Sequence, residues 1–349
     1  MNEILHSLTE KAGARIDIPP AKVLNFKGMI CDGIDAKHPG SAGYKKMVRR
    51  FCGRGGDRFW ELDFVRGLCV MLMIFDHLMF SLWAVLPSIN RLFGTSVFAG
   101  AELLGRAYWT WYVRNFVWQF AVCSFFLLCG ISCTLSRGNF RRFIPLGLAA
   151  CGITAVTSLA EQFGLQGVTM LFGALHMISA GVLLYAFLDN AAEAAGDCLG
   201  QSRPARIARE ALRYLPGVAG VALLVFLFTA CGDLVFKDGL FEFVSSMPSS
   251  GELSDDLFLS LFVKVREFNF SLYSSDYFPL LPYAAILLCG GILGRLIYHT
   301  PARYAFAPFD GAWNSGPCFL GRHAAVIYLS HMAVIPCFLA VCAGAASLF

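Results

Sequence analysis

Behind the Glu61 that opens it, one apolar stretch, residues 61–86, ELDFVRGLCVMLMIFDHLMFSLWAVL, carries Asp63, Arg66, Asp76 and His77. A histidine can take a proton near neutral pH, and an arginine can hold a carboxylate or phosphate through paired hydrogen bonds. The set therefore suits proton transfer at one point and anion binding at another. The stretch is long enough to cross a bilayer, because about 20 apolar residues at roughly 1.5 Å each span a hydrocarbon core of about 30 Å. Charges in hydrocarbon are costly unless paired or hydrated, so a span carrying these four lines a site more readily than it faces lipid. At about 100° per residue, Asp63, Arg66, Val70, Met73 and His77 share one stripe with Asp76 beside it. Arg66 and His77 are about three turns apart, on the order of 16 Å, so one marks a helix end and the other lies deep. Plainer uses stand beside this one. Asp63 and Arg66 at i and i+3 can pair to carry charge through the interface, and His77 can bond a neighbouring helix.

The elements that must position these groups are membrane helices. Of 349 residues 57% are hydrophobic and only 15% charged, outside the range of a soluble domain this long. The pattern predicts an all-α polytopic bundle of about seven spans, at residues 61–86, 114–135, 143–159, 168–188, 216–236, 278–298 and 323–342. Residues 1–58 read as a cytosolic leader, poorly structured or amphipathic, with a basic cluster (Lys45, Lys46, Arg49, Arg50, Arg54 and Arg58) suited to anionic lipid, and 59–349 as the transmembrane domain. No secretory signal precedes the first span, which then serves as the targeting element. Residues 255–267 read as an interfacial helix. The formal charge of +4 shows no nucleic-acid footprint.

Lys and Arg set the orientation. The leader, Arg137, Arg141 and Arg142, then Arg203, Arg206, Arg209 and Arg213, then Arg295, Arg303 and Arg322 fall on one side. The other side holds fewer: Arg91, Arg106, Arg114, Lys237, Lys264 and Arg266. The N-terminus is thus expected in the cytosol and the C-terminus outside. All 13 cysteines fall in expected spans or on the cytosolic side, where disulfides are not expected, and the spacing of Cys123, Cys129 and Cys133 gives no metal site.

With that orientation His77 and His176 reach similar depths below the outer surface and are expected to meet. Asp76, Arg114, Gln119, Glu161, Asp233, Asp276 and Tyr277 are placed around the same mouth. Asp63, Arg66, Arg295 and Arg322 gather at the cytosolic ends, with His331 nearer the midplane. Such an arginine rim suits a phosphate-bearing ligand, although the positive-inside bias alone accounts for Arg295 and Arg322. His176 and His331 equally suit helix packing, and Asp276 with Tyr277 equally suits the start of a helix.

The segments LDFVRG and MIFDH at 62–77, SFFLLCGISCTLS at 124–136, FGALHMI at 172–178, SSDYFPLLPY at 274–283 and LGRHAAVIYLSH at 320–331 occur in an order that is more specific than any one of them. On these the chain resembles bacterial membrane proteins related to the catalytic domain of heparan-α-glucosaminide N-acetyltransferase, a branch of the transmembrane acyltransferases. The resemblance implies transfer of an acyl group, usually acetyl, from cytosolic acyl-CoA as co-substrate to a carbohydrate or glycolipid amine or hydroxyl across a bacterial cytoplasmic membrane. On the matching segments it implies catalytic roles for His77, Asp76 and His176, and substrate binding by Asp63, Arg66, Asp276, Tyr277, Arg322 and His331, to which the outer mouth adds Arg114. A near-neutral histidine can serve as general base or transient acyl acceptor, so the chemistry needs no metal. The loop after the first span contains no histidine, so a mechanism relying on one there does not apply. The leader is outside the resemblance, and assembly into a homo-oligomer stays open. The rival class is a transporter or flippase of a small polar or glycolipid substrate, which would favour acidic relays or broken helices; beyond Asp76 the interior holds little that is acidic. A seven-helix receptor would rest on span count alone.

Overall fold

The structure, a computed structural model, describes residues 59–136, 138–162, 170–200, 202–230 and 277–348. The leader, the helix expected at 255–267, Asp233 and Asp276 lie outside the described residues. The chain divides into two compact units, residues 1–60 with 303–311 and residues 61–302 with 312–349. In the first, the Trp60 indole donates to the Phe306 carbonyl at 3.1 Å.

The second unit is helical in every described regular element. Helix α1 (Trp60–Phe80) passes through a π-helical turn, Ser81–Val85, into α2 (Leu86–Phe93). The first span therefore runs on past residue 86, where the sequence pattern ended it at Pro87. Pro87 falls in the first turn of α2, where a missing N–H costs little, so it does not break the rod. Gly94, left-handed at φ 64°, stops it instead. The Ser81 hydroxyl donates to the His77 carbonyl at 2.8 Å, a back-bond of the kind that loosens helical geometry just where the π turn begins.

Helix α3 (Ala101–Thr110) is short, and α4 (Tyr112–Thr134), α5 (Asn139–Gln162) and α6 (Ala174–Asp197) follow. The fourth span starts after residue 168 because Gly173 caps α6. Helices α7 (Arg203–Leu212) and α8 (Leu215–Ala230) are bent by 54° to each other. Helix α9 (Leu280–Tyr298), the short α10 (Ser315–Arg322) and α11 (Ala324–Ala346) complete the described chain. Among the described residues six helices are long and apolar enough to cross a membrane, or seven if the bent pair counts as one span. The all-α polytopic class is as expected.

Helix α9 is the centre of packing, against α4, α8 and α6. Phe126, Met177, Val182, Tyr185, Tyr283 and Leu287 form the best-buried core there. Lipid tails give no hydrophobic drive between helices, so association depends on close fit. At Gly130 a Cβ would strike the Leu287 carbonyl, and at Gly290 the Leu127 carbonyl. The two helices touch backbone to backbone.

Candidate functional site

Helix α1 carries three polar clusters, one at its N-terminal end and two on a single turn about three turns further on, and each is completed by an element distant in sequence. At its N-terminal end Asp63 is 6% exposed and accepts from two arginines: Arg66 Nη1 at 3.0 Å and Arg322 Nε, from the end of α10, at 3.3 Å. Arg66 also donates through Nη2 to Ser132 Oγ on α4 at 3.1 Å. One carboxylate between two guanidinium groups leaves a net positive charge, and both arginines keep part of their surface open. Arg142 lies against the same turn of α4, donating to the Ser132 carbonyl at 3.0 Å. Arg295 is not part of this group, since it pairs with Asp189 at 3.0 Å.

Three turns further on, the ring that stands against His77 is that of His331. Their centroids are 4.7 Å apart and the rings meet edge to face at 76°. The Nδ1 of His77 lies 2.9 Å from the Met73 carbonyl, and that of His331 lies 2.8 Å from the Tyr328 carbonyl. A carbonyl only accepts, so each Nδ1 carries a proton, and in the neutral ring Nε2 then holds the lone pair. Two basic nitrogens are thereby placed on neighbouring rings.

The third cluster lies on the far side of the same turn. Asp76, 6% exposed, accepts from Arg114 Nε and Nη2, each at 2.7 Å, in a fork-to-fork pair, and Arg114 is 4% exposed. Tyr108 from α3 adds a third hydrogen bond to Asp76 at 3.1 Å. Burial and the Asp76 charge push the Tyr108 phenol up to about 12, so it stays a donor across the physiological range. The Trp109 ring lies over the Arg114 guanidinium, 3.8 Å from its carbon to the centroid, and completes the enclosure.

His176, expected beside His77, has its own partners. Its Nδ1 accepts from the Gly173 N–H at 3.2 Å, so Nε2 carries the proton and donates to Thr154 Oγ1 at 2.9 Å. Thr154 in turn donates to the Met170 carbonyl at 2.7 Å. This ring fastens the start of α6 to α5. Tyr277 is buried, 5% exposed, at the entry to α9. Sequence reasoning placed Asp63, Arg66 and Arg322 at one rim, and the structure joins them through the Asp63 carboxylate. It missed Ser132, Tyr108 and Trp109. The aromatic cluster Tyr108, Trp109, Trp111 and Tyr112 is the signal the sequence offers for the two aromatic residues among them, and such a cluster equally suits an interfacial belt. Among the described residues no three His, Cys, Asp or Glu side chains gather to hold a metal ion.

Residues 58–195 and 217–333 match the family model described as heparan-alpha-glucosaminide N-acetyltransferase, catalytic. All three clusters fall within the matched residues. No curated protein and no solved structure matches the chain.

Proposed function

The chain belongs to the heparan-alpha-glucosaminide N-acetyltransferase catalytic family, and from that membership we propose that it moves an acetyl group from acyl-CoA, bound from the cytosol, to a sugar or glycolipid amine or hydroxyl on the other side of a bacterial cytoplasmic membrane. Membership makes it a membrane acetyltransferase in kind. The observation that supports the rest is the His77–His331 pair with its lone pairs fixed on Nε2.

In this reading His77 Nε2 takes the proton of the acceptor amine or hydroxyl as that nitrogen or oxygen attacks the thioester carbonyl carbon. The C–S bond breaks, and the departing thiolate takes the proton back from the imidazolium. His331 sits where it can share that charge. Asp63, Arg66 and Arg322 hold the phosphates of the coenzyme with the positive charge left over from their triad, Ser132 keeps Arg66 in place, and the thin pantetheine arm extends along α1 towards His77. In this reading Arg114 and Tyr277 serve the acceptor's side of the bundle, and Asp276, next to Tyr277 in the sequence, is assigned to the acceptor with them. Asp76, taken up by Arg114 and Tyr108, and His176, taken up by Thr154 and Gly173, act here as positioning groups rather than as bases.

The test is reconstitution in liposomes with labelled acetyl-CoA inside and glucosamine outside. His77→Ala is expected to lower transfer by about 100-fold or more while acetyl-CoA binding stays within about twofold, because the ring acts on the acceptor's proton and not on the nucleotide. Turnover equal to wild type in this variant would overturn the assignment.

A further inference from the structure

Gln119 lies on α4 between the two cross-links from that helix to α1, Arg114 to Asp76 and Ser132 to Arg66, and nearer the first. Its residue is 4% exposed. Its amide offers a carbonyl acceptor and an NH2 donor, and neither atom has a hydrogen-bond partner in the protein although both are shut off from solvent. A buried amide in that state loses its water without replacement, a penalty that leucine at the same place would avoid.

The position faces the bundle interior. Phe126, two turns along and on the same face, packs on Phe278 and Tyr283 at 5.5 and 5.2 Å between centroids, and Gly130 further along meets Leu287. Followed back through this parallel register, Gln119 comes opposite residues 277–279, the non-helical entry to α9. Its chain neighbour Trp118 stacks on Phe278 at 6.0 Å and has the Arg114 guanidinium carbon 5.6 Å from its centroid. The unsatisfied amide therefore sits among rings in the stratum of the bundle that also holds Asp76 and, next to it in the chain, His77.

We propose that Gln119 is a substrate contact, whose amide is satisfied only in the loaded enzyme by a group that both donates and accepts a hydrogen bond. The proposal rests on the acetyltransferase reading, which offers two sources of such a group: a hydroxyl or amine of the acceptor, or an amide of the pantetheine arm. No solvent reaches the amide in this conformer, so the ligand displaces a neighbouring ring on arrival, and the half-buried Trp118 on Phe278 is the stack beside it.

Gln119→Leu keeps most of the volume and removes both polar atoms. In full-length protein in nanodiscs, the variant is expected to have an unliganded melting temperature at or above that of wild type, because an unsatisfied group has been removed. KM for one substrate is expected to rise about tenfold, the loss typical of a hydrogen bond to a neutral partner. A rise for glucosamine alone assigns the amide to the acceptor, and a rise for acetyl-CoA alone assigns it to the pantetheine arm. The melting shifts produced by acetyl-CoA and by glucosamine are measured in parallel. They keep the result separate from the acetyltransferase reading: with no transfer in wild type that reading fails, while loss of a wild-type shift in the variant still supports a ligand contact. Unchanged KM values, shifts equal to wild type, or no shift from either probe in wild type would overturn the proposal.

Discussion

Asp76 and Arg114 form the shortest ion pair among the described residues, and one whose disruption would be costly. Two charges taken out of water repay their desolvation only when the geometry is close to ideal, and here both carboxylate oxygens are engaged at 2.7 Å. Removing one partner leaves the other buried and uncompensated. Arg114→Met or Asp76→Leu alone is therefore expected to cost about 3–5 kcal/mol, while the double variant recovers much of that loss because an apolar pair leaves no buried charge. Thermal unfolding of the four proteins in one detergent checks this, and a double variant less stable than either single would contradict it. Asp76 was legible in the sequence as an ionisable group in a span and Arg114 as a group at the same mouth, but the pairing of the two was not. Arg114 is 38 residues away across a turn-rich connector, and no periodicity links the two. His331 posed the same problem. Depth estimates pair residues at one level of the membrane but do not say which helices are neighbours, so they set His176 against His77 and left His331 nearer the midplane.

Helix α10 shows how small residues convert close approach into chemistry. A Cβ at Gly321 would strike the Asp63 carbonyl, and one at Gly67 the Pro317 carbonyl, so α10 lies against α1 with nothing between the backbones. That approach is what brings Arg322 to Asp63. Alanine in a helix is intrinsically better than glycine by up to about 1 kcal/mol, and Gly316 on the same helix has open space around its missing Cβ. Gly316→Ala is thus expected to leave acetyl-CoA binding unchanged. Gly321→Ala is expected to push α10 off α1 and raise the KM for acetyl-CoA about tenfold with a smaller effect on kcat, as for loss of one charge-assisted contact. Equal behaviour of the two variants would break the link between the crossing and the arginine rim. The existence of the long helices was readable from hydropathy alone, but their ends depended on particular residues. Pro87 in the first turn of α2 let the first span run on, and Gly173 with the His176 ring delayed the start of α6.

At the scale of the whole molecule the open question is whether α8 crosses the membrane, because that decides which side each loop faces. Its 16 described residues amount to about 24 Å, short of the roughly 30 Å core, and α7 meets it at 54°, so length alone does not settle the matter. Charge does bear on it. Arg203, Arg206 and Arg213 are exposed on or just after α7, and Arg303 and Arg322 follow α9. If α8 and α9 both cross, these two basic groups lie on the same face, together with Arg141 and Arg142 in the first turn of α5, and the positive-inside rule is obeyed. If α8 turned back, the groups would lie on opposite faces and the charge asymmetry along the chain would be lost. Seven crossings are therefore expected, with the leader and the Arg66–Arg322 rim in the cytosol and the end of α11 outside. A reporter active only outside, fused after Phe349, is expected to be active, and the same reporter inserted at Arg206 or after Arg303 is expected to be silent. Activity at Arg303 with silence at both Arg206 and Phe349 would show that α8 does not cross. It would also place the Arg322 rim away from cytosolic acyl-CoA, so the same fusion set tests the direction of transfer as well as the topology.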